Sequence, residues 1–216
     1  MITRFISNNP QTPFAPSWDY PIYEGNILAD IDIELIRSTI LKNEKKVIET
    51  YEFTDDWGTQ LGENSMTSRS DSYNLLQWPE MSSLIFAIRK SHDTFLYELG
   101  SNSEKNLYIA CWANVLRKGE MVSLHHHWDG PYAYLGGHIC IQQENTQTNY
   151  VNPYSRQSYR SANIEGKITL FPNWLEHYSD QHLGDKERIT IAFDLITENV
   201  YQEDIRDDKK SHWLKI

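Results

Sequence analysis

Residues 107–116 read LYIACWANVL, a run rich in residues that favour β-strands. It opens a series of five short strand-like segments that turn-forming residues separate. The others are residues 122–129, 134–142, 167–171 and 188–196. Short strands at this spacing are typical of a β-sandwich or barrel. We therefore predict a jelly-roll core in the second half of the chain.

Two helices are predicted before these strands. Asp32 can cap a helix that runs to Glu44, because apolar residues recur after it at helical spacing. A second helix is predicted over Pro79–Leu99, since proline suits a first helical position and Gly100 a helix end. The fold class predicted is α+β, mainly β: a jelly roll with the N-terminal helices packed on the outside.

The chain is predicted to form a single domain over residues 1–216. Residues 1–100 supply an extended arm, the two helices and a long polar loop. The jelly-roll core covers residues 101–196, and the charged residues 197–216 form a peripheral tail.

The polar loop covers residues 50–77. A loop this long in a compact domain is more often functional than idle. Its chemically interesting members, each of which could instead be a simple anchor, are Trp57, Arg69, Tyr73 and Asn74.

Composition excludes several kinds of partner. The 216 residues carry a net charge of −10, which argues against a partner bound through phosphates and makes nucleic acid unlikely as a ligand. No apolar run approaches the roughly 18 residues that a membrane span needs, and the first residues lack the apolar stretch of a signal peptide. Two cysteines, Cys111 and Cys140, indicate a reducing compartment. We expect a cytoplasmic protein that does not bind membranes.

A histidine cluster carries the strongest chemical signal. On a strand, alternate side chains share a face, so His125, His127 and Asp129 would point the same way. A histidine and a carboxylate two residues apart supply two ligands to a divalent metal. A third ligand from another strand would complete the two-histidine, one-carboxylate triad of non-haem Fe(II) oxygenases.

The missing ligand and an anion clamp follow later in the chain. His177 ends the stretch that begins with the strand at residues 167–171, and Arg188 follows eleven residues later. A guanidinium pairs bidentately with a carboxylate, and the hydroxyl of Thr190, two residues on, can add a further bond. This arrangement is what binding a dicarboxylic keto acid beside a metal would need.

In this order and spacing, the motifs resemble the 2-oxoglutarate- and Fe(II)-dependent oxygenases, and in particular a group of short oxygenases of bacteria and phages related to prolyl 4-hydroxylases. The resemblance covers about residues 107–195. The segments that carry it are Trp112-Ala113-Asn114, Gly119, His127-x-Asp129, Gly136, Phe171-Pro172-Asn173-Trp174-Leu175-x-His177 and Arg188–Phe193.

The resemblance implies a double-stranded β-helix of the cupin-like kind that holds Fe(II) through His127, Asp129 and His177. It also implies that 2-oxoglutarate chelates the iron while its far carboxylate meets Arg188 and Thr190. O2 is the third reactant, and succinate and CO2 are released. Asn114 is a weaker candidate for the co-substrate pocket, and the resemblance implies no catalytic residue beyond the metal ligands.

Two departures from the family pattern remain open. Counting forward to Gly136 favours His127 as the first ligand, whereas counting from Gly119 favours His125. We prefer His127 with Asp129, because a carboxylate adds charge to a hard Fe(II) site, and keep His125 as the alternative ligand. Asp194 stands where relatives usually have asparagine.

The predicted function is hydroxylation of a small polar metabolite, amino acid or peptidyl residue. One alternative is a cupin-like metalloprotein that does not use 2-oxoglutarate, of the isomerase or thiol-dioxygenase type, in which Arg188 would have no role. The other is a non-enzymatic jelly-roll binding module, in which the metal ligands would not converge. A homodimer is left open. Of the remaining histidines, His138 is expected to be an interior residue and His92 a packing residue of the second helix.

Overall fold

The strand that opens the predicted series forms over its full length. In the computed structural model, which describes residues 1–7, 9–128 and 130–216, β3 covers Leu107–Leu116. It pairs antiparallel along all ten residues with β9 (Arg188–Thr197). Most side chains of both strands are buried, which agrees with their nearly continuous runs of apolar residues.

The described strands form two antiparallel sheets. Besides β3 and β9, they are β1 (Ile2–Ile6), β2 (Asp19–Asn26), β4 (Leu135–Gln142), β5 (Gln147–Val151), β6 (Ser158–Ala162), β7 (Lys167–Pro172), β8 (His177–Ser179) and β10 (Leu214–Lys215). The larger sheet has the order β1-β2-β7-β4-β9-β3-β10 and the smaller one β6-β5-β8. Two facing antiparallel sheets of this kind agree with the predicted jelly roll.

Both predicted helices are present. The first, α1, spans Ile33–Thr50 and is longer than predicted, because buried Val47 continues its apolar stripe. The carboxylate of Asp32 caps it by accepting a hydrogen bond from the Leu35 amide (3.0 Å). The second, α2, spans Ser82–Glu98 and follows a 3-10 turn at Pro79–Met81.

The helices and the larger sheet share one apolar core. Buried residues of α1 such as Ile36 and Ile40, and of α2 such as Ile88 and Phe95, belong to the same cluster as residues of β3, β4, β7 and β9. At about 25 cal/mol per Å² of apolar surface removed from water, this burial is the main term that stabilises the layered arrangement.

Three segments differ from the sequence prediction. The N-terminal arm forms β1 and β2, which pair with each other and extend the larger sheet at β7. The tail is not merely peripheral: it contains α3 (Glu198–Glu203) and β10, and β10 pairs with β3. Apolar tail residues spaced among its charges, such as Val200 and Trp213, pack against Tyr108 and Ile196.

The strand predicted over residues 122–129 is absent from its described part, which holds only an isolated bridge at His125. The amides of His127 and Trp128 both donate to the carbonyl of Asn173 (2.9 and 3.2 Å), so a regular ladder does not continue there.

Among the described residues, none of the helices combines the length and apolarity that crossing a membrane requires. Cys111 and Cys140 are both buried and unpaired, as expected of small apolar core residues.

Two histidines make stability depend on pH. Burial lowers the pKa of His92 below 6.5 and that of His212 to about 4. In the unfolded chain both histidines take up a proton as the pH falls through 6.5, whereas in the folded chain they stay neutral to a lower pH. The free energy of unfolding therefore decreases as the pH falls from 6.5 to about 4. We expect the free energy of unfolding to fall by up to about 1.4 kcal/mol per pH unit for each such group. Urea unfolding at several pH values should show a shallower dependence for His92→Gln, and an unchanged slope would contradict this account.

Candidate active site

The predicted site residues that the structure describes meet at one cavity of about 360 Å³, lined by residues of both sheets. His177 lies on β8 of the smaller sheet, and Arg188 and Thr190 lie on β9 of the larger one. Asn114 on β3 is the register partner of Thr190. The fold therefore brings Asn114 and Thr190, 76 positions apart in sequence, to the same wall.

Three histidines form a cluster that could hold a metal ion. One nitrogen of each of His125, His127 and His177 lies within 4.8 Å of those of the other two. Backbone hydrogen bonds fix the first and last of these side by side: the His125 amide donates to the His177 carbonyl (3.1 Å), and the His177 amide donates to the His125 carbonyl (2.9 Å). The cluster is thus built into the sheet edge.

The hydrogen bonds of the three rings leave the same nitrogen free on each. The Nδ1–H of His125 donates to the Ser123 carbonyl (2.8 Å) and that of His177 to the Leu175 carbonyl (2.9 Å). The Nδ1–H of His127 donates to the carboxylate of Asp194 (2.7 Å). Nε2 of each ring then carries a free lone pair, which is what a metal ligand needs.

Burial also keeps two of the three rings, His125 and His177, in the metal-binding protonation state. It lowers the pKa of His125 to about 4 and that of His177 well below its usual value. Both rings are therefore neutral near pH 7, and a metal need not displace a proton from them.

Asp129, the carboxylate that we prefer from the sequence, lies outside the described residues, so its role as a ligand stays a prediction. His125, the alternative, lies within the cluster together with His127 and His177.

Arg188 is a buried cation that has no acidic partner among the described residues. Its side chain is 3% exposed, and no carboxylate of the described residues lies within ion-pair distance. Its Nε donates to the hydroxyl of Thr146 (3.2 Å), which in turn accepts from Nδ2 of Asn163 (3.0 Å). Burial lowers the pKa of Arg188 to about 10, so the guanidinium stays charged near neutral pH. An isolated buried charge of this kind calls for an anionic ligand.

The weaker candidate, Asn114, is also buried in the cavity wall. Its side-chain oxygen accepts a hydrogen bond from the hydroxyl of Thr67 (2.5 Å), in the loop of residues 50–77. Asn114 therefore connects that loop to the wall that Thr190 shares.

Three loop residues singled out from the sequence are anchors. Arg69 donates to the carbonyls of Ile48, Tyr51 and Glu63. The hydroxyl of Tyr73 accepts from the Ala113 amide (3.0 Å), and Nδ2 of Asn74 donates to the Ile109 carbonyl (2.8 Å). The fourth, Trp57, lines the cavity.

His138 is both buried and part of the cavity wall, so the interior position expected from the sequence and contact with the site hold together. Its Nδ1 is 3.1 Å from the Tyr150 hydroxyl, and its Nε2 has no partner among the described residues. The C-terminal segment contributes Lys209, His212 and Trp213. Nothing in that charged segment indicates a binding role, because its position depends on pairing with β3 more than 90 residues earlier.

Asp194 acts on the cluster through His127. We expect Asp194→Ala to weaken metal binding by about 10- to 100-fold, since residues that orient a ligand histidine typically have effects of this size. Asp194→Asn keeps an oxygen acceptor for the Nδ1–H of His127, so we expect a much smaller loss of metal affinity. Co(II) titration of the metal-free protein, followed by its visible absorption, gives both affinities independently of turnover. Equal affinities for wild type and Asp194→Ala would show that the contact does not position His127.

Known proteins resemble this chain in sequence and in fold. Residues 110–194 match the model of a family described as "Putative 2OG-Fe(II) oxygenase". No curated protein matches the sequence.

Solved structures share the fold. AviO1 from Streptomyces viridochromogenes Tue57 matches with a TM-score of 0.57 at 13% identity, covering 82% of this chain and 90% of that one. A Pseudomonas putida prolyl-4-hydroxylase matches with a TM-score of 0.51 at 10% identity, covering 82% of this chain and 92% of that one. The viral collagen prolyl hydroxylase of Paramecium Bursaria Chlorella virus-1, solved with 2OG, matches with a TM-score of 0.51 at 11% identity, covering 82% of this chain and 96% of that one.

At such low identity the structural likeness shows the fold, while the family model concerns the sequence itself. The family model agrees, over residues 110–194, with the resemblance to the oxygenase superfamily that the sequence motifs carry. The cofactors predicted from the sequence, Fe(II) and 2-oxoglutarate with O2, are those of that superfamily.

Proposed function

We propose that this chain is a 2-oxoglutarate- and Fe(II)-dependent oxygenase that hydroxylates a small polar metabolite, amino acid or peptidyl residue. The family match over residues 110–194 supports the proposal. The observation that carries the proposal is the pairing, in one cavity, of a three-histidine cluster with a buried arginine that has no acidic partner in the part of the chain that the structure describes. A cytoplasmic location and the oligomeric state remain predictions.

His125, His127 and His177 would hold the iron through their free Nε2 atoms. Their donor set fits the metal, because neutral imidazole is a common ligand of iron. Asp194 orients His127, and the carbonyls of Ser123 and Leu175 orient the other two rings. Asp129 stays the predicted alternative to His125 as the third ligand. Bound iron, with 2-oxoglutarate and O2, would supply the oxidising chemistry.

Arg188 would bind the far carboxylate of 2-oxoglutarate. Because Thr146 occupies its Nε, the two terminal nitrogens remain to form a bidentate pair with a carboxylate. The hydroxyl of Thr190, two residues along β9 and also buried, is placed on the same face to add a hydrogen bond. Phe171 and Trp112 line the cavity and limit the access of water to this pair.

The two alternatives receive less support. A cupin-like protein that does not use 2-oxoglutarate leaves the buried charge of Arg188 without a role. A binding module without a metal does not explain why three histidine nitrogens converge with their Nδ1 atoms already hydrogen-bonded.

The proposal is tested by adding Fe(II) and 2-oxoglutarate to the protein without oxygen. A visible metal-to-ligand charge-transfer band is expected, and admission of O2 should convert 2-oxoglutarate to succinate. Succinate in place of 2-oxoglutarate is the matched control, because it lacks the keto oxygen and should give no band. A folded, iron-loaded protein that gives no band with 2-oxoglutarate would refute the proposal and favour the cupin-like alternative.

A further inference from the structure

We propose that the substrate carries a positively charged amine that binds the carboxylate of Asp71, on the wall of the same cavity. This inference rests on the proposed function, because it names the substrate class for the cavity that would hold the iron. Asp71 lies in the loop of residues 50–77, outside the segment that matches the oxygenase family.

The loop holds Asp71 in a fixed place. It follows the 3-10 turn Thr67–Arg69, where Thr67 is hydrogen-bonded to Asn114 of β3. Two residues later, Tyr73 accepts from the Ala113 amide, and Asn74 donates to the carbonyls of Ile109 and His212. Anchors on both sides therefore present Asp71 to the cavity in a preorganised position.

The anchors themselves make no use of Asp71. Its carboxylate is partly buried, yet it forms no hydrogen bond or ion pair with any described residue. Lys209 attracts this carboxylate without forming an ion pair with it, while Asp194 and Asp55 add negative charge nearby. Burial raises the pKa of Asp71, which reflects the cost of leaving this charge unpaired. A cationic group on a ligand would remove that cost.

The rest of the wall favours a cation as well. Four tryptophans line the cavity: Trp57, Trp112, Trp128 and Trp213. The faces of indole rings attract ammonium groups through the ring quadrupole. A wall that combines these rings with an unpaired carboxylate is therefore suited to an amine.

Trp57 is exposed to the cavity and available to contact a ligand. Its side chain is 54% exposed at the cavity, and its backbone is left-handed, with φ of 49°. The carboxylates of Asp55 and Asp56 hold the turn by accepting from the amides of Trp57 and Gly58 (both 3.0 Å). A bulky residue kept in this strained conformation is typical of ligand-binding segments.

The basic side chains of the cavity leave its preference for a cationic ligand unchanged. Arg188 is taken by the co-substrate in the proposed function, and Arg206 pairs with Asp208 (2.7 Å). Lys209 remains, and it could meet a carboxylate on the same ligand. A free amino acid, a lysine side chain in a peptide and a polyamine share the required amine, so the experiment separates these three sources.

Binding can be measured by tryptophan fluorescence on the iron- and 2-oxoglutarate-loaded protein without oxygen. The probes are L-lysine, a short lysine-containing peptide and spermidine, each paired with its fully N-acetylated form. We expect at least one amine to bind and its acetylated form to bind at least about tenfold more weakly. Asp71→Asn should weaken the binding of that amine by about 10- to 100-fold. Asp204→Asn makes the same charge change at an exposed residue of the cavity and should change affinity less than about twofold.

The inference fails if no amine binds, if the acetylated forms bind equally well, or if Asp71→Asn has no larger effect than Asp204→Asn. The charge-transfer band, recorded on the same samples, reports on the proposed function separately. A band with no amine binding refutes the amine site and leaves the oxygenase proposal standing. Amine binding that depends on Asp71 but occurs without a band refutes the oxygenase proposal and supports the amine site.

Discussion

Replacing Arg188 with methionine is expected to weaken 2-oxoglutarate binding by about 30-fold or more. Truncating one partner of a buried, hydrogen-bonded charge pair typically costs 2–5 kcal/mol, which corresponds to this loss or a larger one. Isothermal titration of the Fe(II)-loaded protein without oxygen measures the affinity directly. Arg160→Met is the matched control, because Arg160 is exposed on β6 and should be neutral.

The same variant should leave the unliganded protein as stable as the wild type, or more stable. Without 2-oxoglutarate, the Arg188 guanidinium is buried, and within residues 1–7, 9–128 and 130–216 it has one hydrogen bond, to Thr146, and no acidic partner. Replacing an uncompensated buried charge with an apolar side chain of similar length removes a desolvation cost. In thermal unfolding, 2-oxoglutarate should raise the Tm of the wild type but not that of Arg188→Met.

These two results together separate a binding role from a structural one. If Arg188→Met lowers the Tm of the unliganded protein and 2-oxoglutarate still raises it, Arg188 supports the sheet and does not bind the co-substrate. A lower affinity with an unchanged or higher Tm is the outcome that the geometry predicts.

The sequence could predict those parts of the fold whose signals are local. The strand Leu107–Leu116 and the helix capped by Asp32 follow from continuous apolar runs and from periodicity. Arg188 and Thr190 could be identified because they stand two residues apart at the start of a strand.

The smaller sheet could not be predicted in the same way. β5 and β6 read QTNYV and SYRSA, so polar residues occupy positions that are buried in the structure, such as Thr148 and Asn149. A strand with polar residues at its buried positions lacks the alternation that sequence analysis depends on. Pairing with a neighbour, here Tyr150 opposite Tyr159, decides its conformation.

Partners of site residues also escape the sequence when they are distant in it. Asp194 stands out as a departure from the family pattern, but only the fold brings it within 2.7 Å of His127, 67 residues earlier. The carboxylate of Asp71 reaches the cavity only because a loop without regular periodicity is anchored to β3. Long-range contacts of this kind leave no local signal.

The identity of the third metal ligand gives a second prediction with a large effect. We expect His125→Ala to lower the affinity for Fe(II) or Co(II) by more than about 100-fold, because loss of a direct ligand should exceed the 10- to 100-fold loss typical of residues that orient one. His177→Ala should have an effect at least as large. If the three-histidine cluster is the metal site, Asp129→Ala should lower the metal affinity less than His125→Ala does.

The reason for this ranking is the geometry of His125. Reciprocal backbone hydrogen bonds join it to His177, and its ring centroid lies 4.4 Å from that of His177. The Ser123 carbonyl fixes its Nδ1, so the free Nε2 needs no rearrangement to bind a metal. His126, between the two cluster histidines, is exposed, and His126→Ala is the matched control that should leave metal affinity nearly unchanged.

Metal titrations of the four alanine variants, each checked for folding by circular dichroism, decide between the two ligand sets. If Asp129→Ala abolishes binding and His125→Ala only weakens it, the carboxylate preferred from the sequence completes the triad and His125 is a neighbour of the site. The charge of the site would then differ as well. A three-histidine site leaves the iron its full positive charge, whereas a carboxylate ligand neutralises part of it, so the two sets should also bind anionic 2-oxoglutarate with different strength.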